Sequence, residues 1–259
     1  MEASPGLLAE VEAVAEEAAA LILEVYATDF SVQGKADASP VTVADERAEA
    51  HIVAALRRLA PGVPVVAEEA AARGEVPAVG ARFWLVDPLD GTREFVSRNG
   101  EFTVNIALVE DGSPVLGVVQ VPVQRRRYAG LVGQGAWCED AEGRRAITCR
   151  AVPPVGELVV ASSRSHGDEA ALRGWLAGQG LAGRPLRHRA AGSSLKFGLL
   201  ACGEADLYPR LGRTMEWDTA AGHAVLRAAG GEVCMLDGAP LRYGKPGFEN
   251  PHFVARGAA

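Results

Sequence analysis

Apolar residues recur at helical spacing from the start of the chain. Leu7, Leu8, Val11, Val14, Ala18, Leu21, Ile22 and Val25, behind the start signal Ser4-Pro5, predict a helix. Small and polar residues from Ser31 to Pro40 interrupt the pattern. It resumes over 42–59, where Ala48, Ile52, Ala55, Leu56 and Leu59 share one face and Pro61-Gly62 marks the stop. Short apolar runs predict strands at 63–67 and 82–86, the first delivering Glu68-Glu69 and the second Asp87. From Phe102 the pattern becomes a meander, with runs at 102–109, 115–121 and 126–132 separated by EDGSP and PVQ.

Pro153-Pro154 is the clearest break. It divides the chain into an expected N-terminal α+β unit, 1–152, and a C-terminal α/β unit, 153–259. In the second unit, predicted strands (158–161, 205–208, 232–236, 252–255) alternate with predicted helices (168–179, 194–202, 218–229), the signature of an α/β layer.

Composition narrows the function classes. The 259 residues can bury a full core without staples. The formal charge of −7 argues against a nucleic-acid polymer or an anionic membrane surface as partner. No apolar run approaches the ~18 residues of a membrane span. The opening MEASPGLLAE has no basic lead, so no signal peptide is expected. The expected location is cytoplasmic, and peripheral association with the inner membrane is compatible with it. Four scattered cysteines form no CxxC pair, which fits reduced thiols. The five histidines include no HExxH, so a metal, if used, calls for hard oxygen ligands.

Two pattern matches fail on context. Gly178-Gln-Gly180-Leu-Ala-Gly183 spells GxGxxG, but it ends a helix and runs into Pro185, so it reads as a loop. Ser193-x-x-Lys196 spells SxxK without an SDN or KTG partner.

The carboxylates are more informative. Asp87-Pro88-Leu89-Asp90-Gly91-Thr92 follows the apolar FWLV, and Gly91 permits a sharp turn on which two Asp and an intervening carbonyl can face one cation. Taken singly, each acid also has a plain reading: a capping Asp in a turn, a solvated Glu68-Glu69 pair, a first-turn Asp45, a cap at Asp218. Gathered together, they would repel. Two like charges 4 Å apart cost about 4 kcal/mol at an effective dielectric of 20. Protonation or divalent cations would have to relieve that, and a Mg²⁺ cluster is the economical answer.

The order Asp45, Glu68-Glu69, DPLDGT (Asp87–Thr92) and WDTAAG (Trp217–Gly222) resembles the lithium-sensitive, Mg²⁺-dependent phosphomonoesterases. That superfamily holds inositol monophosphatases, fructose-1,6-bisphosphatases and 3′(2′),5′-bisphosphate nucleotidases. The resemblance covers nearly the whole chain and implies a layered αβαβα sandwich of two subdomains with the metal site between them. It makes Glu68, Asp87, Asp90, Asp218 and the Leu89 carbonyl ligands of two or three Mg²⁺. Thr92, oriented by Asp45, would act with Glu68 on the attacking water, with Glu69 adjacent and no phosphoenzyme.

Three further segments, 99–119, 161–166 and 192–212, resemble the CysQ-type bisphosphate nucleotidases, which serve sulfur assimilation by removing the 3′-phosphate of 3′-phosphoadenosine 5′-phosphate to give AMP. That likeness implies a small-molecule nucleotide substrate bound by Asp90, Gly91, Thr92, His166, Ser194, Lys196, Arg210 and Asp218. It is compatible with a homodimer. Lys196 is one of only three lysines among 26 basic residues; Lys35 shares its motif-borne character, whereas Lys245 reads as a surface residue. Glu216 reads either as an outer acceptor beside the cluster or as exposed. The alternative within the same chemistry is an inositol monophosphatase of broad sugar-phosphate specificity. A haloacid-dehalogenase-type phosphatase would need DxDGT, and the register DPLDGT breaks its nucleophile–acid pairing.

Overall fold

The computed structural model describes residues 2–28, 40–163 and 169–257. Helices α1 (Pro5–Tyr26) and α2 (Pro40–Leu59) open the chain, α1 capped by the Ser4 hydroxyl accepting from the Leu7 amide at 3.2 Å. Their apolar faces cover one side of a seven-stranded sheet whose spatial order follows the chain. Its strands are β1 (Val65–Ala67), β2 (Arg82–Asp90), β3 (Thr103–Glu110), β4 (Ser113–Val121), β5 (Arg126–Leu131), β6 (Gly135–Asp140) and β7 (Gly143–Ile147). Only β1 and β2 run parallel; the rest is an antiparallel meander. Between β1 and β3 lie two one-turn helices, α3 (Glu68–Ala72) and α4 (Thr92–Val96).

A second sheet of five strands has the order β11 (Glu232–Met235), β12 (Phe253–Arg256), β10 (Leu207–Arg210), β8 (Leu158–Ser162) and β9 (Leu186–Ala190). Helix α5 (Glu169–Gly178) covers its outer face through Leu172 and Leu176. Helices α6 (Leu195–Ala201) and α7 (Glu216–Ala228) fill the space between the sheets, in a core shared with Phe83, Leu85, Val119, Tyr128 and Phe253. The succession is helices, sheet, helices, sheet, helix, the expected αβαβα sandwich.

Small residues set the spacing of the middle layer. A Cβ at Gly117 would stand 2.4 Å from the Ala221 carbonyl oxygen, and one at Gly222 would stand 2.3 Å from the Phe197 ring. The run Thr219-Ala220-Ala221-Gly222 therefore lets α7 lie flush on β4 and against α6. Packing of that closeness fixes where the first turn of α7, and Asp218 with it, meets the end of β2.

Several expectations are corrected. The second strand does not stop at Val86 but runs to Asp90, with one extra residue accommodated between the Asp87–Asn105 and Asp90–Thr103 pairs. Pro88, which has no amide proton to give the ladder, falls inside that bulge. Asp45 lies in the second turn of α2 rather than its first. Strands β6, β7 and β9 were not predicted. The exposed GRRAI of β7 and LRHRA of β9 carry no apolar alternation, because each forms a sheet edge. The change from one sheet to the other falls between Ile147 and Leu158, on either side of Pro153-Pro154. Gly178–Gly183 ends α5 and turns through Gly180 and Gly183 at positive φ, a loop as expected. No helix among the described residues is long and apolar enough to cross a membrane.

Candidate active site

Four backbone elements bring the acids together. Strand β1 ends at Ala67 and hands Glu68 to the first turn of α3; β2 carries Asp87 and Asp90 on either side of its bulge; α7 supplies Asp218; and α2 supplies Asp45 from behind. Gly91, at φ 100°, turns the chain out of β2 into α4, which opens with the exposed Thr92. A side chain at position 91 is excluded twice over, since its Cβ would lie 2.1 Å from the Ser193 hydroxyl.

The electrostatics are those of uncompensated like charge. Burial and then the fields of Glu69 and Glu68 push Asp45 up to about 8. Burial first, and next Asp90, push Asp218 up to about 8, against the Met215 amide, which donates to Asp218 Oδ2 at 2.8 Å. Glu68 is pushed up to about 7 chiefly by burial, with Asp90 and Glu69 adding to it. Asp87 is raised well above the usual carboxylate range by burial, then by Glu68, Asp90 and Asp218. Glu68 and Asp87 share a hydrogen bond, which pulls Glu68 down and pushes Asp87 further up. Burial also raises Asp90, while Lys196 and the Ser194 hydroxyl pull it back. Repulsion on this scale is relieved by protons or by cations.

The donor set fits a hard divalent cation: carboxylate oxygens of Glu68, Asp87, Asp90 and Asp218, with the Leu89 carbonyl inside the bulge. Among the described residues no three acids already stand close enough to form a finished metal-holding group. No hydrogen bond from Thr92 to Asp45 is formed among the described residues; Asp45 faces Glu68 and Glu69 instead.

Beside Asp90 and Asp218 the cleft also carries cations. It encloses about 1070 Å³ and is lined by Asp90, Gly91, Ser194, Lys196, Arg210 and Asp218, with Val160, Leu172, Tyr208 and Leu211 as its apolar part. Lys196 is buried, with Nζ donating to the carbonyls of Ala191 (3.2 Å) and Ser193 (2.6 Å) and lying 5.3 Å from the centre of the Tyr208 ring. Burial lowers it to about 8 even though Asp90 pulls the other way. Arg210 donates to the Arg213 carbonyl at 3.2 Å. His166 and Lys35 lie outside the described residues.

Two expectations about charge are overturned. Glu216 has no exposed surface: its carboxylate accepts from the amides of Gly244 (2.7 Å) and Lys245 (3.0 Å) and from Lys245 Nζ (2.6 Å). Lys245 is thus no free surface residue but the counter-ion of a buried acid, and it also donates to the Arg242 carbonyl at 2.6 Å. Sequence reasoning also missed Glu49, one turn after Asp45 in α2. Its carboxylate accepts from the Glu69 (2.7 Å) and Ala70 (2.9 Å) amides and so caps the start of α3. Ser193, at φ 45°, donates to the Asp90 carbonyl at 2.7 Å. Glu101 accepts from the Gly192 amide at 2.8 Å. A lone Asn within the apolar run TVNIALV was the available signal for Asn105.

Comparison with known proteins agrees with this architecture. The inositol monophosphatase family pattern matches residues 3–256. The chain is 47% identical over 253 residues to the 3′(2′),5′-bisphosphate nucleotidase CysQ of Escherichia coli K12, covering 95% of this chain and 98% of that protein. Among solved structures, CysQ from Bacteroides thetaiotaomicron superposes with a TM-score of 0.83 at 37% identity, over 97% of each chain. An inositol monophosphatase from Zymomonas mobilis superposes at 0.79 with 26% identity, over 100% of this chain and 95% of that one. The chain belongs to the inositol monophosphatase family, and within it stands with the CysQ bisphosphate nucleotidases.

Proposed function

We propose that this chain is a Mg²⁺-dependent 3′(2′),5′-bisphosphate nucleotidase that hydrolyses 3′-phosphoadenosine 5′-phosphate to AMP and phosphate. One observation supports this most: a single cleft is lined both by acids, Asp90 and Asp218, and by cations, Lys196 and Arg210. A substrate with two phosphates has one to present to each. The cleft, of about 1070 Å³, has room for a nucleotide-sized ligand, with the half-buried side chain of Leu211 on its wall.

Glu68, Asp87, Asp90, Asp218 and the Leu89 carbonyl would hold two or three Mg²⁺. Bound there, the cations supply Lewis acidity and neutralise charge on the phosphoryl group. Glu68 and Thr92 orient the attacking water, and Glu68 accepts its proton, with Asp45 behind them. The water oxygen forms a bond to phosphorus as the bond from phosphorus to O3′ breaks in line, and the departing O3′ takes a proton from solvent. Lys196 and Arg210 bind the 5′-phosphate by charge-assisted hydrogen bonds, with His166 assigned to the same pocket. The Gly91 and Thr92 backbone lies beside the scissile group. Residues 1–152 would form one unit, carrying most cation ligands, and 153–259 the other, carrying Asp218 and the cationic wall.

Phosphate release from 3′-phosphoadenosine 5′-phosphate is expected with Mg²⁺ and not with chelator. Trapping with hydroxylamine should find no acyl phosphate. A phosphorylated aspartate would contradict direct attack by water, and phosphate release undiminished by chelation would contradict the cation assignment.

A further inference from the structure

Asn105 is buried on β3, directly across from Asp87 of β2, on the sheet face that meets α6 and α7. Its neighbours on that face of the strand, Ala107 and Val109, are packed into the apolar core. An amide there is poorly served. Asn105 Nδ2 donates to the Ser194 hydroxyl at 3.0 Å, and Oδ1 has no hydrogen-bond partner among the described residues. A half-satisfied buried amide is worse for stability than an apolar side chain of the same shape. Folding alone therefore gives no reason for Asn at this position.

The Ser194 hydroxyl gives the reason. It lies 2.6 Å from the Asp218 carbonyl and 3.1 Å from Asp90 Oδ2, and the side chain is buried. A hydroxyl has one proton and two lone pairs. With the Asn105 N–H on one lone pair, the single proton is left for the Asp218 carbonyl, the nearer acceptor, or for Asp90 Oδ2, and the oxygen cannot turn away. One atom thus ties β2, β3, α6 and α7 together at the point where the two sheets' contributions meet.

We infer that Asn105 is a positioning residue: through the Ser194 hydroxyl it sets the separation of Asp90 and Asp218, and so the fit of the acidic wall to its cations. Ser194 is on this account a strut between aspartates rather than a contact to substrate. The inference rests on the cation assignment made above for Asp90 and Asp218, and does not depend on which phosphate ester is cleaved.

The test is Asn105→Leu, close in shape and without the donor, with three readouts. Urea unfolding of the metal-free protein should show stability unchanged or raised. Calorimetric titration with Mg²⁺ should show affinity weakened about tenfold, the scale on which partners of metal ligands act. Turnover of 3′-phosphoadenosine 5′-phosphate should fall in kcat with KM held within about twofold. Ser194→Ala should lose Mg²⁺ affinity to the same degree, and the double variant should be no worse than Ser194→Ala alone. Wild-type Mg²⁺ affinity in either single variant would overturn the inference, as would losses that simply multiply in the double variant. Ser194→Ala keeps the test open if Asn105→Leu fails to fold. If the unaltered protein binds Mg²⁺ in an Asn105-dependent way but cleaves no nucleotide, the nucleotidase reading falls and this inference stands.

Discussion

Glu216 and Asp218 sit two residues apart in the first turn of α7, and their surroundings are opposite. Glu216 is fully buried and fully answered, by two amides and the Lys245 ammonium. Asp218 receives one amide and faces Asp90 and Glu68, with Arg210 as the weaker opposing charge. The first arrangement pins the loop before the 3₁₀ turn at Pro246–Phe248 onto the helix. The second stores repulsion that only a proton or a cation relieves. The same residue chemistry in the same turn thus serves the fold in one case and opposes it in the other. Buried charge is informative about function only when its partners have been counted.

Substitution separates the two acids most sharply. Removing one partner of a buried, hydrogen-bonded ion pair costs about 3–5 kcal/mol. Glu216→Ala should therefore lower the unfolding free energy by that amount in a urea titration. Asp218→Asn in the metal-free protein should leave it unchanged or raise it. Equal losses in the two variants would erase the contrast.

Activity should rank the other way. Asp90→Asn is expected to reduce Mg²⁺-dependent phosphate release beyond the ~100-fold seen when outer partners of a metal ligand are lost, with the fold intact by circular dichroism. Turnover near that of the unaltered chain would remove Asp90 from the site.

Titration offers a smaller effect with a definite sign. Asp45 and Asp218 stand at about 8 in the folded protein and Glu68 at about 7, against ordinary values of 3.8 and 4.5. Groups with raised folded values stabilise below their unfolded pKa and lose that contribution as pH rises through the folded one. The metal-free protein should therefore melt at lower temperature as pH climbs from about 4 to 8. Mg²⁺ should restore more stability at pH 8 than at pH 6. A metal-free protein that gained stability across that window would contradict the cluster.

His223 acts as a single group and in the reverse direction. Burial holds it down to about 3, with Nδ1 2.9 Å from the Tyr243 hydroxyl. Because the unfolded chain takes up its proton first, stability should be lost as pH falls from about 6.5 towards 3, and His223→Gln should flatten that loss. An unchanged acid limb would show that His223 is not responsible for it.

The elements were legible where burial imposes a period. Helices α1, α2 and α7 and the strands of the meander each present apolar residues to a core, and their positions followed from spacing alone. Edge strands β7 and β9 bury almost nothing, so no period marks them. The acids of the site were legible as a set because DPLDGT and WDTAAG are local patterns. Glu49, Asn105 and Ser193 were not, because each acts across the chain: Glu49 on α3, Asn105 on Ser194, Ser193 on Asp90. Lys245 illustrates the same limit. Its neighbour Pro246 suggested a surface loop, while its partner lies 29 residues earlier.

The central claim is that a cleft lined by acids and cations together selects an ester with two phosphates. It is tested most directly by kcat/KM of the purified protein with Mg²⁺ for 3′-phosphoadenosine 5′-phosphate and for inositol 1-phosphate. The account predicts a clear preference for the bisphosphate, lost on replacing Lys196 or Arg210 with Ala. Equal or higher efficiency towards inositol 1-phosphate would contradict it.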